Sequence, residues 1–446
     1  MTRQLYSFLM WLVQPFVRRK LSIRGVQEPG YLEAVDERFG HYSAQPLPPD
    51  GNTLWLHAVS LGETRAAAVL VARLRERLPG MRLLLTHGTA TGRAEGASLL
   101  QPGDIQTWQP WDTPAAVQRF LAHFKPRIGI LMETEIWPNL AAGCLQAGVP
   151  LVLANARLSE VSLKQSRRLA WLARPAYRSL AAVWAQTQDD AARLKALGAN
   201  VQGVFGNLKF DATPDVALLA RGRAWRAALT RPVVLFASSR EGEETALLRL
   251  FKSFQPLAPV DSAQAAINSV ANDVQWLIVP RHPQRFDEVA ALIGQYGFNV
   301  SRRSDWGGAP AAGLDRSRPT VWLGDSLGEM ALYYGLADVA LLGGSFEPLG
   351  GQNLIEAAAC ACPVVMGPHT FNFTEAAELA QAAGAALRVP SLQQAVAVVQ
   401  TLANDPVARA AMVSAAAGFS SAHRGALEKT AAAVVALLDQ QGVDAL

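Results

Sequence analysis

Short apolar runs of four to seven residues alternate with longer amphipathic stretches along most of this chain. Runs at 53–59, 82–86, 127–132, 150–154, 182–185 and 201–205 are bounded by turn residues. They read as strands of a parallel sheet covered on both faces. Helical stretches lie between most of them, the first from residue 61 to about residue 78. After Phe210 the strand signal pauses. A polar, helical stretch at 211–231 leads into a second series at 232–237, 275–279, 320–323, 339–342 and 363–366. The βαβ rhythm predicts an α/β protein of two doubly wound, Rossmann-like domains. Their expected bounds are 26–211 and 212–446, facing one another across a cleft with ligands at the carboxyl ends of the strands. Residues 255–273, rich in Pro, Ala, Ser and Asn, and 303–318, rich in Gly, Pro and Arg, read as surface excursions. The stretch 406–439 is Ala-rich and helical, and no internal repeat recurs at a fixed period.

The start is different. Leu5, Tyr6, Phe8, Leu9, Met10, Trp11, Leu12 and Val13 form an apolar run, and Arg18, Arg19, Lys20 and Arg24 follow it. The run is shorter than the roughly 20 residues that span a bilayer. A signal peptide would carry its charges first. Residues 1–25 therefore read as a hydrophobic anchor segment, in or on a membrane, with basic residues facing anionic headgroups. The competing view is a helix docked on the body of the protein.

Composition narrows the class. A hydrophobic fraction of 50% and a charged fraction of 17% exclude a disordered chain. Lys and Arg exceed Asp and Glu by 41 − 37 = 4, and no basic stripe is interleaved with aromatics, so no nucleic-acid partner is expected. Three cysteines, Cys144, Cys360 and Cys362, cannot frame a small disulfide-built protein and read as packing residues in a reducing compartment. No P-loop, Gly-x-Ser-x-Gly or His-Glu-x-x-His occurs, and no metal-ligand cluster is expected.

The informative polar residues sit at strand ends. Ser60-Leu61-Gly62-Glu63 follows the first strand. Glu63 either complements a helix terminus or stands in the cleft as a base for an attacking hydroxyl. Glu133-Thr134-Glu135 follows the strand 127–132. Glu133 needs a cationic partner, and Lys209 at another strand end is the candidate. In the second half Pro280-Arg281-His282, Gly324–Glu329, Gly343-Gly344-Ser345 and Gly350–Glu356 all follow strands. Glycines before a helix let backbone N–H groups approach phosphate. Asn353 and Glu356 share a helix face, where a carboxylate can take both hydroxyls of a ribose. Ser238–Glu244 reads equally as a cap or as a substrate contact, and His87–Gly92 is as open. His57 reads as a satisfied core histidine.

With these residues in view, the chain resembles the 3-deoxy-D-manno-octulosonic acid (Kdo) transferase family of lipopolysaccharide assembly. The matching strings are Val59-Ser60-Leu61-Gly62-Glu63, Met132-Glu133-Thr134-Glu135-Ile136-Trp137-Pro138-Asn139, Asn155-Ala156-Arg157-Leu158-Ser159, Leu208-Lys209-Phe210-Asp211, Val279-Pro280-Arg281-His282-Pro283 and Met366-Gly367-Pro368-His369-Thr370-Phe371-Asn372-Phe373. The resemblance implies a GT-B glycosyltransferase moving Kdo from CMP-Kdo to a lipid A precursor, lipid IVA, with inversion and release of CMP. It implies Glu63 as general base, and Glu133 and Lys209 as transition-state support. The CMP-sugar contacts it implies are Pro280, Arg281, Leu327, Gly328, Glu329, Asn353, Leu354, Ile355 and Glu356. No cofactor or catalytic metal is implied. The implied location is the cytoplasmic side of the inner membrane, among its lipids. Relatives often have His-Asn-Pro where this chain has Gln352-Asn353-Leu354, and the 255–273 insertion is longer than usual. Two other readings compete. A different two-domain sugar-nucleotide enzyme, such as a UDP-sugar epimerase or transferase, would prefer uridine nucleotides. A non-catalytic membrane-bound carbohydrate-binding protein would tolerate neutralised Glu63 and Glu133.

Overall fold

Seven parallel strands build the sheet of the first half: β1 Thr53–His57, β2 Arg82–His87, β3 Ile105–Trp108, β4 Ile128–Met132, β5 Leu151–Ala156, β6 Ala182–Ala185 and β7 Val201–Val204. Their spatial order is β3-β2-β1-β4-β5-β6-β7. The second half holds another seven: β8 Val233–Ser239, β9 Gln275–Pro280, β10 Asn299–Arg302, β11 Thr320–Leu323, β12 Val339–Leu342, β13 Val364–Met366 and β14 Ala386–Arg388. These run β10-β11-β9-β8-β12-β13-β14. The computed structural model describes residues 2–43, 52–211, 213–253, 274–310 and 319–444. The expected excursion at 255–273 lies outside the described residues, as does much of the one at 303–318.

Every residue of β1, β4, β5 and β6 is buried. Helices cover both faces, so Trp55, Phe120, Leu131 and Leu153 meet on one side while Leu56, Leu70, Ile130 and Trp184 meet on the other. That double burial removes side-chain alternation and leaves the continuous apolar runs seen in the sequence. In each sheet the order reverses beside the first strand, at β1/β4 and at β8/β12. Such a reversal splays the following loops apart and opens a crevice at the carboxyl ends.

Two compact units result, Met1–Asp211 with His423–Leu446, and Ala212–Ala422. The expected second domain of residues 212–446 thus gives up its last segment. The helix Ala426–Asp444 packs Ala426, Ala431, Val434 and Leu438 into the first unit's core. Both oxygens of Asp211 receive its opening N–H groups, Gly425 at 2.6 Å and Leu427 at 2.7 Å. Further along, Arg127 donates to the Leu438 carbonyl at 2.7 Å.

Residues 2–27 form one helix that interrupts neither at Pro15 nor at the basic cluster. No described helix is long and apolar enough to cross a membrane, so a spanning anchor is not supported. One side of this helix is fixed to the first unit. Ser7 Oγ donates to Asn139 Oδ1 at 2.9 Å, and Trp111 Nε1 donates to the Met10 carbonyl at 2.9 Å. Its other side exposes Leu5, Leu9, Leu12 and Phe16, spaced three or four apart, with Phe8 and Trp11 beside them. The helix is docked, and its apolar stripe still faces outward.

Candidate functional site

The carboxyl edge of the first sheet gathers the expected catalytic residues. After β1 the chain enters the helix Leu61–Arg77 with Ser60 as its cap. The Glu63 N–H donates to Ser60 Oγ at 3.4 Å, and the Ser60 hydroxyl donates back to Glu63 Oε1 at 3.2 Å. Glu63 Oε2 accepts the Val59 N–H at 3.0 Å, completing a variant of the capping box. The Val59 carbonyl is itself held by the Thr89 N–H at 3.0 Å and the Thr89 hydroxyl at 2.8 Å. A side chain on Gly88 would stand 2.8 Å from Val59 Cγ1, so only glycine lets this turn close. The carboxyl group of Glu63 is therefore oriented from two sides.

Among the described residues no cation pairs with it. Burial, with the negative charges of Glu133 and Glu135, pushes its pKa from 4.5 up to about 7, against the lowering effect of the Val59 and Ser60 hydrogen bonds. Such a group exchanges its proton near neutrality, as a general base must.

Glu133 follows β4 with φ +58. Its N–H donates to the Ala154 carbonyl at 3.0 Å, and its carbonyl accepts the Arg157 N–H at 3.1 Å. The side chain is only 4% exposed and has two cations: Lys209 Nζ lies 3.1 Å from Oε1 and Arg157 Nε 2.9 Å from Oε2. The expected Glu133–Lys209 pair thus forms. Lys209 is set by the turn Leu208–Asp211, whose Leu208 N–H donates to Asn155 Oδ1 at 3.0 Å. Asn207 fixes the same turn, accepting the Lys209 N–H at 3.1 Å and donating to Gln186 Oε1 at 3.1 Å.

The second sheet carries the expected nucleotide residues on its own carboxyl edge. Pro280 ends β9, and the Arg281 N–H donates to the Ser239 carbonyl at 3.0 Å. Leu327 is exposed, Gly328 takes φ +77, and Glu329 caps the helix Met330–Leu336. The Glu329 carboxylate meets Arg303 Nη2 at 2.8 Å and the Ser326 hydroxyl. Asn353 caps the helix Leu354–Ala359, its Oδ1 accepting the Ile355 N–H at 3.1 Å, with half-buried Glu356 in the first turn. Leu354 and Ile355 turn their side chains into the core, so they can meet a ligand only through the backbone. The open choice at Ser238–Glu244 resolves toward architecture. Glu243 Oε2 accepts the Arg240 N–H at 2.9 Å and the Gly344 N–H at 2.8 Å, and burial raises its pKa. Glu244 holds Arg285 at 2.8 Å and the Ser239 hydroxyl at 2.7 Å.

From the sequence Arg157 and Arg303 had no role, and Thr89 lay in the His87–Gly92 turn that stayed open. Arg157 stood inside a matched string without a role, and nothing in its spacing joined it to Glu133. His57 is fully buried, 2.9 Å from Thr86 Oγ1 through Nδ1, and burial lowers its pKa to about 3. That is a core histidine, as expected.

The family profile described as 3-Deoxy-D-manno-octulosonic-acid transferase (kdotransferase) matches residues 33–212. The 3-deoxy-D-manno-octulosonic acid transferase of Bordetella pertussis is 47% identical over 436 residues, covering 96% of this chain and 98% of that protein. The Haemophilus influenzae protein of the same name is 30% identical over 434 residues, 96% and 97% of the two chains. Among solved structures, UDP-GlcNAc 2-epimerase from Neisseria meningitidis bound to UDP-GlcNAc aligns with TM-score 0.51 at 14% identity, covering 87% of this chain and 100% of that one. That likeness concerns the fold alone: two parallel-sheet α/β domains resembling GT-B glycosyltransferases. Sequence identity across nearly the whole length carries the activity, and the chain belongs to the 3-deoxy-D-manno-octulosonic acid transferase family, as a glycosyltransferase enzyme.

Proposed function

We propose that the protein transfers Kdo from CMP-Kdo to a lipid A precursor, lipid IVA, by one inverting displacement with Glu63 as general base. The acceptor hydroxyl gives its proton to Glu63 as its oxygen bonds to the anomeric carbon. The bond from that carbon to the phosphate oxygen breaks, and its electron pair leaves with CMP. One displacement from the face opposite the leaving group inverts the centre. The observation that carries this reading is Glu63 itself: oriented by Val59 and Ser60, unpaired with any cation among the described residues, and titrating at about 7. Lys209, paired with Glu133, supplies positive charge where negative charge develops.

The first unit takes the acceptor and the second the donor. Arg281 and the amides at Leu327-Gly328 and Asn353–Glu356 compensate the phosphate, and Glu356 faces the ribose. No cofactor or metal has a part in this scheme. The exposed stripe on the helix Thr2–Gln27, with Arg19 and Lys20 also exposed, suits a helix lying in the headgroup region on the cytoplasmic side of the inner membrane.

The test is an assay with CMP-Kdo and tetraacylated lipid A precursor, reading product mass and anomeric configuration. Wild type should form a Kdo–lipid adduct with inverted configuration, and Glu63→Gln should bind CMP-Kdo normally while losing at least about 10³-fold in turnover. Retained configuration, or normal turnover by Glu63→Gln, would remove this mechanism.

A further inference from the structure

We propose that Arg157, propped on Glu133, is a receptor for an oxyanion carried by a substrate of the transfer. The inference rests on the reading that this sheet edge, with Glu63, is where the substrates react.

Charge is the first argument. One buried carboxylate stands between two cations, so Glu133, Lys209 and Arg157 together carry a net charge of +1. Lys209 alone neutralises Glu133. The second cation is 57% exposed, so water screens its pairing with Glu133 and it adds less to stability than a buried partner would. Geometry is the second. Arg157 spends Nε on Glu133, and among the described residues its two terminal nitrogens have no hydrogen-bond partner. A guanidinium so placed presents a planar fork that matches phosphate or carboxylate through two parallel hydrogen bonds.

Preorganisation is the third. The Arg157 N–H is bound to the Glu133 carbonyl at 3.1 Å, and the next residue donates its N–H to Asp190 Oδ1 at 2.8 Å. The backbone is thus pinned on both sides of the one exposed side chain. Position is the fourth. Arg157 leaves β5, β5 pairs with β4, and β4 pairs with the β1 that leads to Glu63. Neighbouring strands lie about 4.8 Å apart, so two steps across the sheet separate the fork from the base's strand.

Two groups of the proposed reaction carry the required chemistry: a phosphate monoester on the acceptor and the carboxylate of the transferred sugar. The experiment separates them. Steady-state kinetics of full-length wild type, Arg157→Lys and Arg157→Gln are measured with each substrate varied in turn, and with an acceptor stripped of its phosphates. Arg157→Lys keeps the charge beside Glu133 but loses the fork. It should raise one KM by about 10- to 100-fold, the value of a charged hydrogen-bonded fork, with kcat within about threefold of wild type. A raised acceptor KM that disappears with the stripped acceptor assigns the phosphate. A raised donor KM assigns the carboxylate.

Inorganic phosphate is the probe that needs no turnover. It should raise the melting temperature of wild type and not that of Arg157→Lys. If Arg157→Lys matches wild type in both KM values, the residue only neutralises Glu133 and the proposal is overturned. An equal fall in kcat with every substrate overturns it as well. Glu63→Gln, assayed alongside, reports separately on the underlying reading: full turnover there sinks the reaction scheme rather than the receptor.

Discussion

Replacing Glu63 by Gln should make the protein more stable while making it inactive, and the gain should depend on pH. Glu63 is half-buried near Glu133 and Glu135, and its pKa is raised from 4.5 to about 7. In the unfolded chain the group loses its proton near 4.5. Between there and 7 the native state binds a proton that the unfolded state has released, so stability falls as pH rises across that window. Below it there is no cost, and above it the cost is complete. At about 1.36 kcal/mol per pH unit the ceiling is about 3.4 kcal/mol. Partial exposure of the carboxyl group lets water screen it, which brings a working value to about 1.5–2 kcal/mol. Gln is isosteric. Its amide oxygen can keep the Val59 N–H bond and its NH₂ can donate to Ser60 Oγ, so the helix cap survives the change. Urea unfolding followed by tryptophan fluorescence, from pH 4.5 to 8, gives the comparison with wild type. The variant should gain about 1.5–2 kcal/mol at pH 8 and nothing at pH 4.5. A gain that is absent, or the same at every pH, would show that no proton is held at Glu63 for the reason given.

The same group sets the rate. In wild type, kcat/KM should fall about tenfold per pH unit below 7, and Ser60→Ala, which removes a hydrogen bond to the charged form, should move that limb upward. A pH–rate series on both proteins checks it, and an unmoved limb refutes it. Lys209→Met leaves the buried Glu133 with Arg157 alone. Expected are a stability loss of about 1–3 kcal/mol and a fall in kcat of about 100-fold, read by urea unfolding and by CMP release. Gly343→Ala would put a methyl group 2.3 Å from the Ser238 carbonyl oxygen and push apart the turn that Glu243 holds. A lower melting temperature and at least about a tenfold higher KM for CMP-Kdo are expected, with the acceptor KM unchanged.

The sequence showed the buried strands and one edge, β7, and missed the other three edges, whose burial is less continuous. The three strands absent from the reading, β3, β10 and β14, all lie at the rim of a sheet. Asn299–Arg302 and Ala386–Arg388 are short, polar at one end, and covered on fewer sides than β4 or β5, so no continuous apolar run marks them. The strand-end polar groups were legible because polar residues there break an otherwise apolar pattern. Glu63, Glu133 and Lys209 were all found that way. Arg157 was not, since its partnership with Glu133 exists only once β4 and β5 lie side by side. The return of Ala426–Asp444 to the first unit was equally invisible. It depends on Asp211, more than 200 residues earlier, accepting the N–H groups that open the helix.

Backbone conformation ties these failures and successes together. Glu133, Asn155 and Ser238 adopt φ +58, +52 and +56, the first just past β4 and the others in the last two residues of β5 and β8. For a side chain that is not glycine this region costs about 1 kcal/mol or more, and glycine would relieve it. Glycine could not do what two of these side chains do. The Glu133 carboxylate gathers Lys209 and Arg157, and Asn155 Oδ1 holds the N–H of Leu208 one residue before Lys209. A left-handed residue also breaks the strict up-and-down alternation of a strand, so its side chain leaves along the edge of the sheet instead of into a covering helix. The strain is tolerated because both peptide groups of Glu133 are satisfied, by the Ala154 carbonyl and the Arg157 N–H. Asn155 is thus a supporting element of the charged cluster even though it need touch no substrate. The polar residues of the first sheet's edge are one mechanical unit, in which two strained backbones aim three charges at a common point.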